Sequence, residues 1–417
     1  MAMTAVQHLV FTAKMASPFD PARLKYWRGV CVGSNRNILI FEPNSGGHRL
    51  NYVRLFAMAA QLSGANVTLA LPADVNKTPE FNGHLAEIAD NVRQVTIDGK
   101  GRFGVLSWLC SQIRSGAYSD VLIPYADGGL AECVALLEAL SLRRSSLRAR
   151  VSVLKMRGTF AYEESGVRRR LQNLVTLRAL SSNVIHRVYW IDAIAYEFVQ
   201  KHSDVLARKS VFLPDPVPQG QMLSCLDAAN ALKLPTECSY IGLFGAIDER
   251  KGADRLIDAF HAADLPAEWK LLLAGKFSAA IRNQIQGQRA DSNRIVALDK
   301  FIDNSELQTY FEACDFVCVP FRRHIGSSST VIRAAAANRP VLGDSYGWIG
   351  EMTKRYQLGS VCDSSNEQEL ATAIHEFSKV AKAWAPSPLQ QQFVALHSEP
   401  NFLQVLSKDI GDALAGR

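Results

Sequence analysis

Tyr240-Ile-Gly-Leu-Phe-Gly-Ala-Ile-Asp-Glu-Arg-Lys-Gly252 decides how this chain is read. The apolar run Tyr240–Phe244 has the composition of a buried strand, and Gly245…Lys251-Gly252 places a lysine and a glycine at the strand-to-helix corner that follows. A second corner stands downstream, where Pro320…His324-Ile-Gly-Ser-Ser-Ser-Thr330 leads into an alanine-rich stretch ending Asn338-Arg-Pro340-Val341. Small residues and hydroxyls ahead of a helix leave backbone N–H groups available, and the positive helix end attracts anions. Two such corners in successive strand–helix units suggest a site for a diphosphate, such as that of a nucleotide-sugar.

Strand–helix alternation extends on both sides of this stretch. Upstream, strands are expected at Asn37–Pro43, Asn66–Pro72, Gln94–Asp98, Asp120–Tyr125, Arg150–Met156 and Val184–Ile191. Helical periodicity fills Arg49–Ser63, Gly104–Ser115, Leu130–Leu140 and Val167–Leu180. Three prolines in Leu213-Pro-Asp-Pro-Val-Pro218 can continue neither kind of element and mark a boundary. The alternation then restarts: strands Tyr240–Gly245, Lys270–Ala274, Arg294–Leu298, Phe316–Pro320 and Pro340–Gly343 alternate with helices Ala253–Ala263, Ser278–Gly287, Asn304–Ala313 and Ser329–Ala337. Asp303 and Glu306 have the spacing of a capping box. After Pro386-Ser-Pro388 a last helix is expected at Phe402–Leu414. Near-continuous apolar strands separated by helices indicate parallel sheets covered on both faces. The fold class is therefore α/β, with two doubly wound, Rossmann-like domains facing each other across a cleft at the carboxyl ends of their strands.

Composition narrows the function. At 417 residues the chain is long enough for two domains, and 48% hydrophobic residues supply two cores. No apolar run has the length of a membrane span, and the first residues lack the basic leader of a signal peptide, so a cytoplasmic protein is expected. The eight cysteines follow neither metal-ligand nor disulfide spacing and read as structural thiols. The charge of +6 is modest and unevenly spread, with Arg143, Arg144, Arg148 and Arg150 forming one cluster and Arg168, Arg169 and Arg170 another. Either they form a solvated helix face, or they dock on anionic lipid headgroups as a peripheral contact at the inner face of a membrane. No motif or aromatic-plus-basic platform for nucleic acid accompanies them.

The second half resembles group 1 glycosyltransferases, a retaining family with the GT-B fold. The family's Gly-Arg-Leu-x-x-x-Lys-Gly stands here as Gly245-Ala246-Ile247-Asp248-Glu249-Arg250-Lys251-Gly252, and its Glu-Ala-x-Ala-x-Gly-x-Pro-Val as Arg333-Ala-Ala-Ala-Ala-Asn-Arg-Pro340-Val341. With the first half included, the resemblance spans roughly residues 36–405. It implies an extension over residues 1–35, an acceptor domain over 36–213, a donor domain over 214–385, and a closing helix over 386–417 that returns to the first domain. The implied activity is transfer of a sugar from a nucleotide-sugar to a glycan, lipid-linked or small-molecule acceptor. It is retaining and independent of metal or cofactor, with the nucleotide-sugar as co-substrate.

The resemblance assigns Lys251 to the donor diphosphate, where its ammonium offsets charge on the leaving phosphate; by itself the lysine reads equally as an exposed turn residue. Ala246 replaces the family's arginine, and neighbouring Arg250 is the candidate for the second positive charge, or simply faces solvent. Gly326, Ser327, Ser328, Ser329 and Thr330 offer consecutive N–H groups and hydroxyls to phosphate, against ordinary serine N-capping, and His324 lies within reach of the sugar. Two family glutamates, eight residues apart, are here Ile325 and Arg333. Arginine cannot accept a hydrogen bond from a ribose hydroxyl, so Arg333 is read as a phosphate partner. In the first half, Pro43-Asn-Ser-Gly46-Gly47-His48 occupies the place of a family Gly-Gly loop near donor and acceptor. Gly46 and Gly47 permit close backbone approach, and His48 is a candidate acid or base. Asp127, ahead of Gly128-Gly129, is a candidate base for the acceptor hydroxyl or a helix cap. Arg157 is a candidate acceptor contact, and Asp192 reads as structural. The missing glutamates leave two alternatives: a non-catalytic GT-B partner of an active transferase, or another GT-B-like enzyme such as a sugar epimerase.

Overall fold

The structure, a computed structural model, describes residues 36–46, 49–140, 148–162, 166–218, 220–287 and 293–414. In the first half, strands β1 Asn37–Phe41, β2 Asn66–Leu71, β3 Arg93–Thr96, β4 Asp120–Ile123, β5 Arg150–Lys155, β6 Ile185–Trp190 and β7 Ser210–Phe212 form one sheet. Its principal helices are α1 Arg49–Leu62, α2 Gly101–Ser115, α3 Leu130–Leu140, α4 Val167–Ser181 and α5 Ala193–His202. The second sheet contains β8 Ser239–Ile247, β9 Trp269–Phe277, β10 Ile295–Asp299, β11 Phe316–Val319, β12 Val341–Asp344 and β13 Gly359–Cys362. Around it lie α6 Ala253–Ala262, α7 Ala279–Gly287, α8 Asn304–Glu312, α9 Ser329–Ala336, α10 Gly347–Arg355 and α11 Glu367–Ala381, followed by α12 Pro388–Leu396 and α13 Glu399–Leu414.

Every strand pairing is parallel. The strand orders are β3-β2-β1-β4-β5-β6-β7 and β10-β9-β8-β11-β12-β13. Winding therefore reverses between β1 and β4 in the first sheet and between β8 and β11 in the second. Such switch points open a crevice at the carboxyl ends of the strands, where ligands bind in α/β sheets. The residues leaving β8 and β11 are the two corners that carry Lys251 and the Gly-Ser run.

The alternation of side chains along β1 shows why both faces must be covered. Ile38 and Ile40 join one buried cluster with α1 and α13, whereas Leu39 and Phe41 join another with α2, α3 and α4. The closing helix α13 lies on α1. Phe402 packs its ring 6.3 Å from Tyr52 and 6.2 Å from Phe56, and Arg54 grips Glu399 with bonds of 2.9 and 2.7 Å. Tyr189 donates to Asp409 at 2.7 Å. Burial of the Phe402 and Leu406 side chains alone contributes about 2 kcal/mol each on area bookkeeping.

The strand ends differ from expectation in both directions. Pro43, Pro72 and Pro320 lie outside their strands, consistent with a residue that has no N–H to donate. Strands β8 and β9 instead run past the expected ends, to Ile247 and Phe277, pairing Gly245 with Gly275 and Ala246 with Lys276. Gly245, expected as the last residue of its strand, lies inside it, and the turn is displaced to Asp248–Gly252. This extension depends on two left-handed glycines, with φ of +95° and +144°; a Cβ on Gly275 would stand 1.7 Å from the Gly245 carbonyl oxygen. Elements missed from the sequence include β7, β13, α5, α10, α11 and α12. The cysteines among the described residues are free thiols.

Candidate active site

Lys251 ends a single 3₁₀ turn, Glu249–Lys251, whose start is capped by Asp248: the carboxylate accepts from Lys251 N–H at 2.9 Å. The chain leaves the turn through Gly252 at φ +70°, where a Cβ would lie 2.2 Å from the Pro320 carbonyl oxygen. The Lys-Gly pair is therefore wedged against the residue that follows β11, at the switch point itself. The ammonium folds back to donate to the Phe244 carbonyl at 2.7 Å and sits 4.9 Å from the centre of the Phe321 ring. Burial, then the neighbouring Arg250, pulls its pKa down to about 8, so it still carries charge near neutral pH. A cation held beside the Phe321 ring and a backbone carbonyl, with no carboxylate bonded to it, favours an incoming anion. Arg250 itself is mostly exposed, 3.6 Å from the Asp248 carboxylate.

The second corner faces the first. His324 is half-buried and turns its Nε2 to the Ser327 carbonyl at 3.0 Å, so this nitrogen carries the proton. Burial, reinforced by Arg157, Arg250 and Lys251, lowers its pKa to about 4, which leaves the ring neutral. Gly326, at φ +89°, approaches the first domain closely: its N–H donates to the Tyr162 hydroxyl at 3.3 Å, and a Cβ would stand 2.8 Å from the Met156 carbonyl oxygen. Ser327 donates to Asp215 at 2.8 Å. Ser328 occupies the N-cap position of α9, yet its buried hydroxyl makes no capping bond and no other hydrogen bond. Ordinary serine capping therefore does not account for the run. Thr330 is buried and Ser329 exposed. Arg333 lies on the inner side of α9, buried beside Gln308 and under the influence of Asp215.

In the first domain, Asp127 forms an ion pair with Lys155 at 3.2 Å and accepts from Met156 N–H at 3.3 Å. Both bonds reach the neighbouring strand β5, so the carboxylate ties two strand ends together and does not cap its own helix. Gly128 and Gly129 both adopt positive φ, +77° and +89°, to turn the chain into α3. Arg157 is exposed, its side chain against Gly326 and close enough to bias His324. Gly46 has nothing near its α-carbon that would oppose a side chain. Gly47, His48, Arg143, Arg144 and residues 1–35 lie outside the described residues.

Sequence reading missed Glu42, Arg49, Tyr162 and Asp215 here. Glu42, directly after β1, is fully buried; Oε1 accepts from Asn44 N–H and from Arg49, both at 3.0 Å, and Oε2 has no partner. Burial, only partly offset by Arg49, raises its pKa to about 7. Arg49 in turn stacks 3.8 Å over the Tyr125 ring, at the end of β4. Asp192 caps α5 through Ile194 and Ala195 N–H and also accepts from the Tyr162 hydroxyl at 2.8 Å, so this structural residue holds the tyrosine that touches Gly326. Asp215, between two linker prolines, accepts from Tyr52 at 2.6 Å as well as from Ser327, and its carbonyl accepts from His397 at 2.8 Å. The available signal was an acid isolated between prolines, which reading the segment as a boundary passed over.

Comparison with known proteins agrees with this geometry. The family model described as Glycosyl transferases group 1 matches residues 238–379, which span both corners. No curated protein matches the sequence. Among solved structures, the chain is similar to sucrose-phosphate synthase from Thermosynechococcus elongatus, with a TM-score of 0.69 and 17% identity over 92% of this chain and 100% of that one. It is similar to Anabaena HepE in complex with UDP, with a TM-score of 0.64 and 15% identity over the same shares. It is similar also to WaaG, a glycosyltransferase involved in lipopolysaccharide biosynthesis, with a TM-score of 0.61 and 14% identity over 91% and 100%. Two doubly wound parallel sheets with interleaved helices define the GT-B fold. The chain carries a group 1 glycosyltransferase domain and is a glycosyltransferase.

Proposed function

We propose that this enzyme transfers a sugar from a nucleoside diphosphate sugar to the hydroxyl of a glycan, lipid-linked or small-molecule acceptor, with residues 36–213 as acceptor domain and 214–385 as donor domain. The observation that carries the reading is Lys251, an ammonium held at the switch point opposite the helix start within Gly326–Thr330. Lys251 and the α9 N-terminus bind the diphosphate, Arg250 adds charge from the rim, and Ser328 supplies an unused hydroxyl. As the bond from the anomeric carbon to the phosphate oxygen breaks, the charge left on phosphate meets groups already oriented to receive it, which requires no reorganisation at that moment. The new bond forms to the acceptor oxygen, and its proton passes to Asp127, whose Lys155 and Met156 bonds both fall on Oδ1. In this reading transfer is retaining and needs neither metal nor cofactor.

HepE has been crystallised with UDP-glucose, which makes a uridine diphosphate sugar the first donor to test. Ile325 and Arg333, in place of glutamates, favour the second reading, a non-catalytic partner. Release of UDP from UDP-glucose, with and without acceptor extracts, separates the two. Transfer predicts release that falls at least ~100-fold in Lys251→Ala, the scale of losing one oriented charge-stabilising group. Release that is absent from the wild type with every donor, or unchanged in the variant, contradicts it.

A further inference from the structure

Arg157 leaves the carboxyl end of β5 with an exposed side chain that makes no hydrogen bond or ion pair among the described residues. Its backbone, by contrast, is pinned on both sides. Met156 N–H donates to Asp127 at 3.3 Å and Gly158 N–H to Asp192 at 3.4 Å. A Cβ on Gly158 would stand 2.2 Å from the Cβ of Ala195 on α5, so the chain cannot shift there. A rigid backbone carrying an uncommitted charge is how a binding group is held ready for its ligand.

The second domain meets this arginine at the donor corner. Gly326 passes so close that a Cβ there would stand 3.1 Å from Arg157 Cγ. On the other flank of the corner, Lys251 Nζ lies 4.9 Å and the His324 ring 5.6 Å from the centre of the Phe321 ring. His324 feels the charges of Arg157, Arg250 and Lys251 together, so cations from both domains converge on one place. The neighbouring carboxylates are committed elsewhere. Asp127 pairs with Lys155, Asp192 holds Tyr162 and caps α5, and Asp215 accepts from Tyr52 and Ser327. Asp248 bonds the Lys251 N–H and lies 3.6 Å from Arg250, which leaves Arg157 uncompensated.

We propose that Arg157 is a catalytic residue supplied by the first domain, its guanidinium binding the donor diphosphate from across the cleft. The proposal rests on the donor reading and adds a group to it. A nucleoside diphosphate gains negative charge when the bond from the anomeric carbon to its phosphate oxygen breaks and the electron pair stays on oxygen. Arg157 donates N–H bonds to that phosphate and gives up no proton, since a guanidinium stays charged. A further cation acts most on the state with the further negative charge, so it lowers the barrier more than it tightens donor binding. Because the arginine comes from the first domain, charge stabilisation depends on the two domains meeting at Gly326.

Calorimetric titration of wild type, Arg157→Gln and Arg157→Lys with UDP, GDP and ADP tests the proposal, beside sugar release from UDP-glucose, GDP-mannose and ADP-glucose. The diphosphate that binds the wild type is expected to bind Arg157→Gln about tenfold more weakly, the scale of one hydrogen bond to a charged group, with Arg157→Lys in between. Release from the matching donor falls further, about 100-fold in kcat. The unfolding midpoint without ligand stays unchanged, because the side chain is exposed and unbonded. Equal diphosphate affinity in wild type and Arg157→Gln overturns the proposal and leaves the donor site standing; a raised KM for acceptor would then assign the arginine to the acceptor. Weaker binding with kcat unchanged overturns the catalytic role, and a lowered midpoint overturns it in favour of packing. Failure of the wild type to bind any of the three diphosphates removes the donor reading, and this proposal with it.

Discussion

Glu42 shows how far a single residue departs from what its type suggests. Its carboxyl is fully buried with one oxygen unpartnered, and burial lifts its pKa from 4.5 to about 7. A group whose folded pKa is raised favours folding while protonated. Its contribution is fully present below pH 4.5 and is lost as pH rises through 7, a change on the order of 3 kcal/mol. Asp192, raised to about 6 mainly by burial, works in the same direction. Neutral His324 and His397, both lowered to about 4 by burial, act in the opposite sense, so the effect is read by difference: across pH 4.5–8, urea unfolding should show the wild type losing stability relative to Glu42→Gln as pH rises. Equal slopes in the two proteins would remove Glu42 from the account. Nothing in the local sequence Phe41-Glu-Pro43 announces this, because burial of the carboxyl is a property of the folded chain and not of its neighbours in sequence. Lys251 was legible for the opposite reason: its strand, turn and glycine are contiguous, and only its tuck against Phe244 and Phe321 required the fold.

At the level of elements, periodicity located β1 to β6 and β8 to β12 and the helices between most of them, since each carries its own apolar pattern. Between Gly343 and the last helix it found no element, because β13, Gly359–Cys362, is short and half-exposed and α10 opens on a glycine. The ends of β8 and β9 were misplaced because glycines usually punctuate, whereas Gly245 and Gly275 here let two backbones meet. Gly275→Ala is expected to cost about 3 kcal/mol or more, since its Cβ would collide with backbone and its φ of +144° strains any side chain. Denaturant titration checks this. A loss below about 1 kcal/mol would mean that the β8–β9 extension relaxes freely and does not fix the Lys251 turn.

For the whole molecule, the two-domain plan followed from the alternation and the proline-rich break, but the way the domains are joined did not. Asp215 accepts Tyr52 from α1 and Ser327 from the donor-side corner, and its backbone is held by His397, ahead of the closing helix. Arg355 on α10 pairs with Glu197 on α5 as a second tie between the halves. Asp215→Ala leaves the buried Tyr52 hydroxyl without its partner and should lower stability by about 2–3 kcal/mol, whereas Asp215→Asn, which keeps an acceptor, should lose roughly half of that. Unfolding midpoints of the two variants decide this, and indistinguishable losses would show that packing around the linker, not the hydrogen bonds, joins the domains. The central claim, that the switch point of the second sheet is a donor diphosphate site built on Lys251, is tested most directly by thermal stabilisation with a panel of nucleotides and nucleotide-sugars. A ligand at about 100 times its dissociation constant stabilises the native state by about 2.7 kcal/mol. The account predicts that shift for a nucleoside diphosphate sugar in the wild type and its loss in Lys251→Ala; no shift with any member of the panel would contradict it.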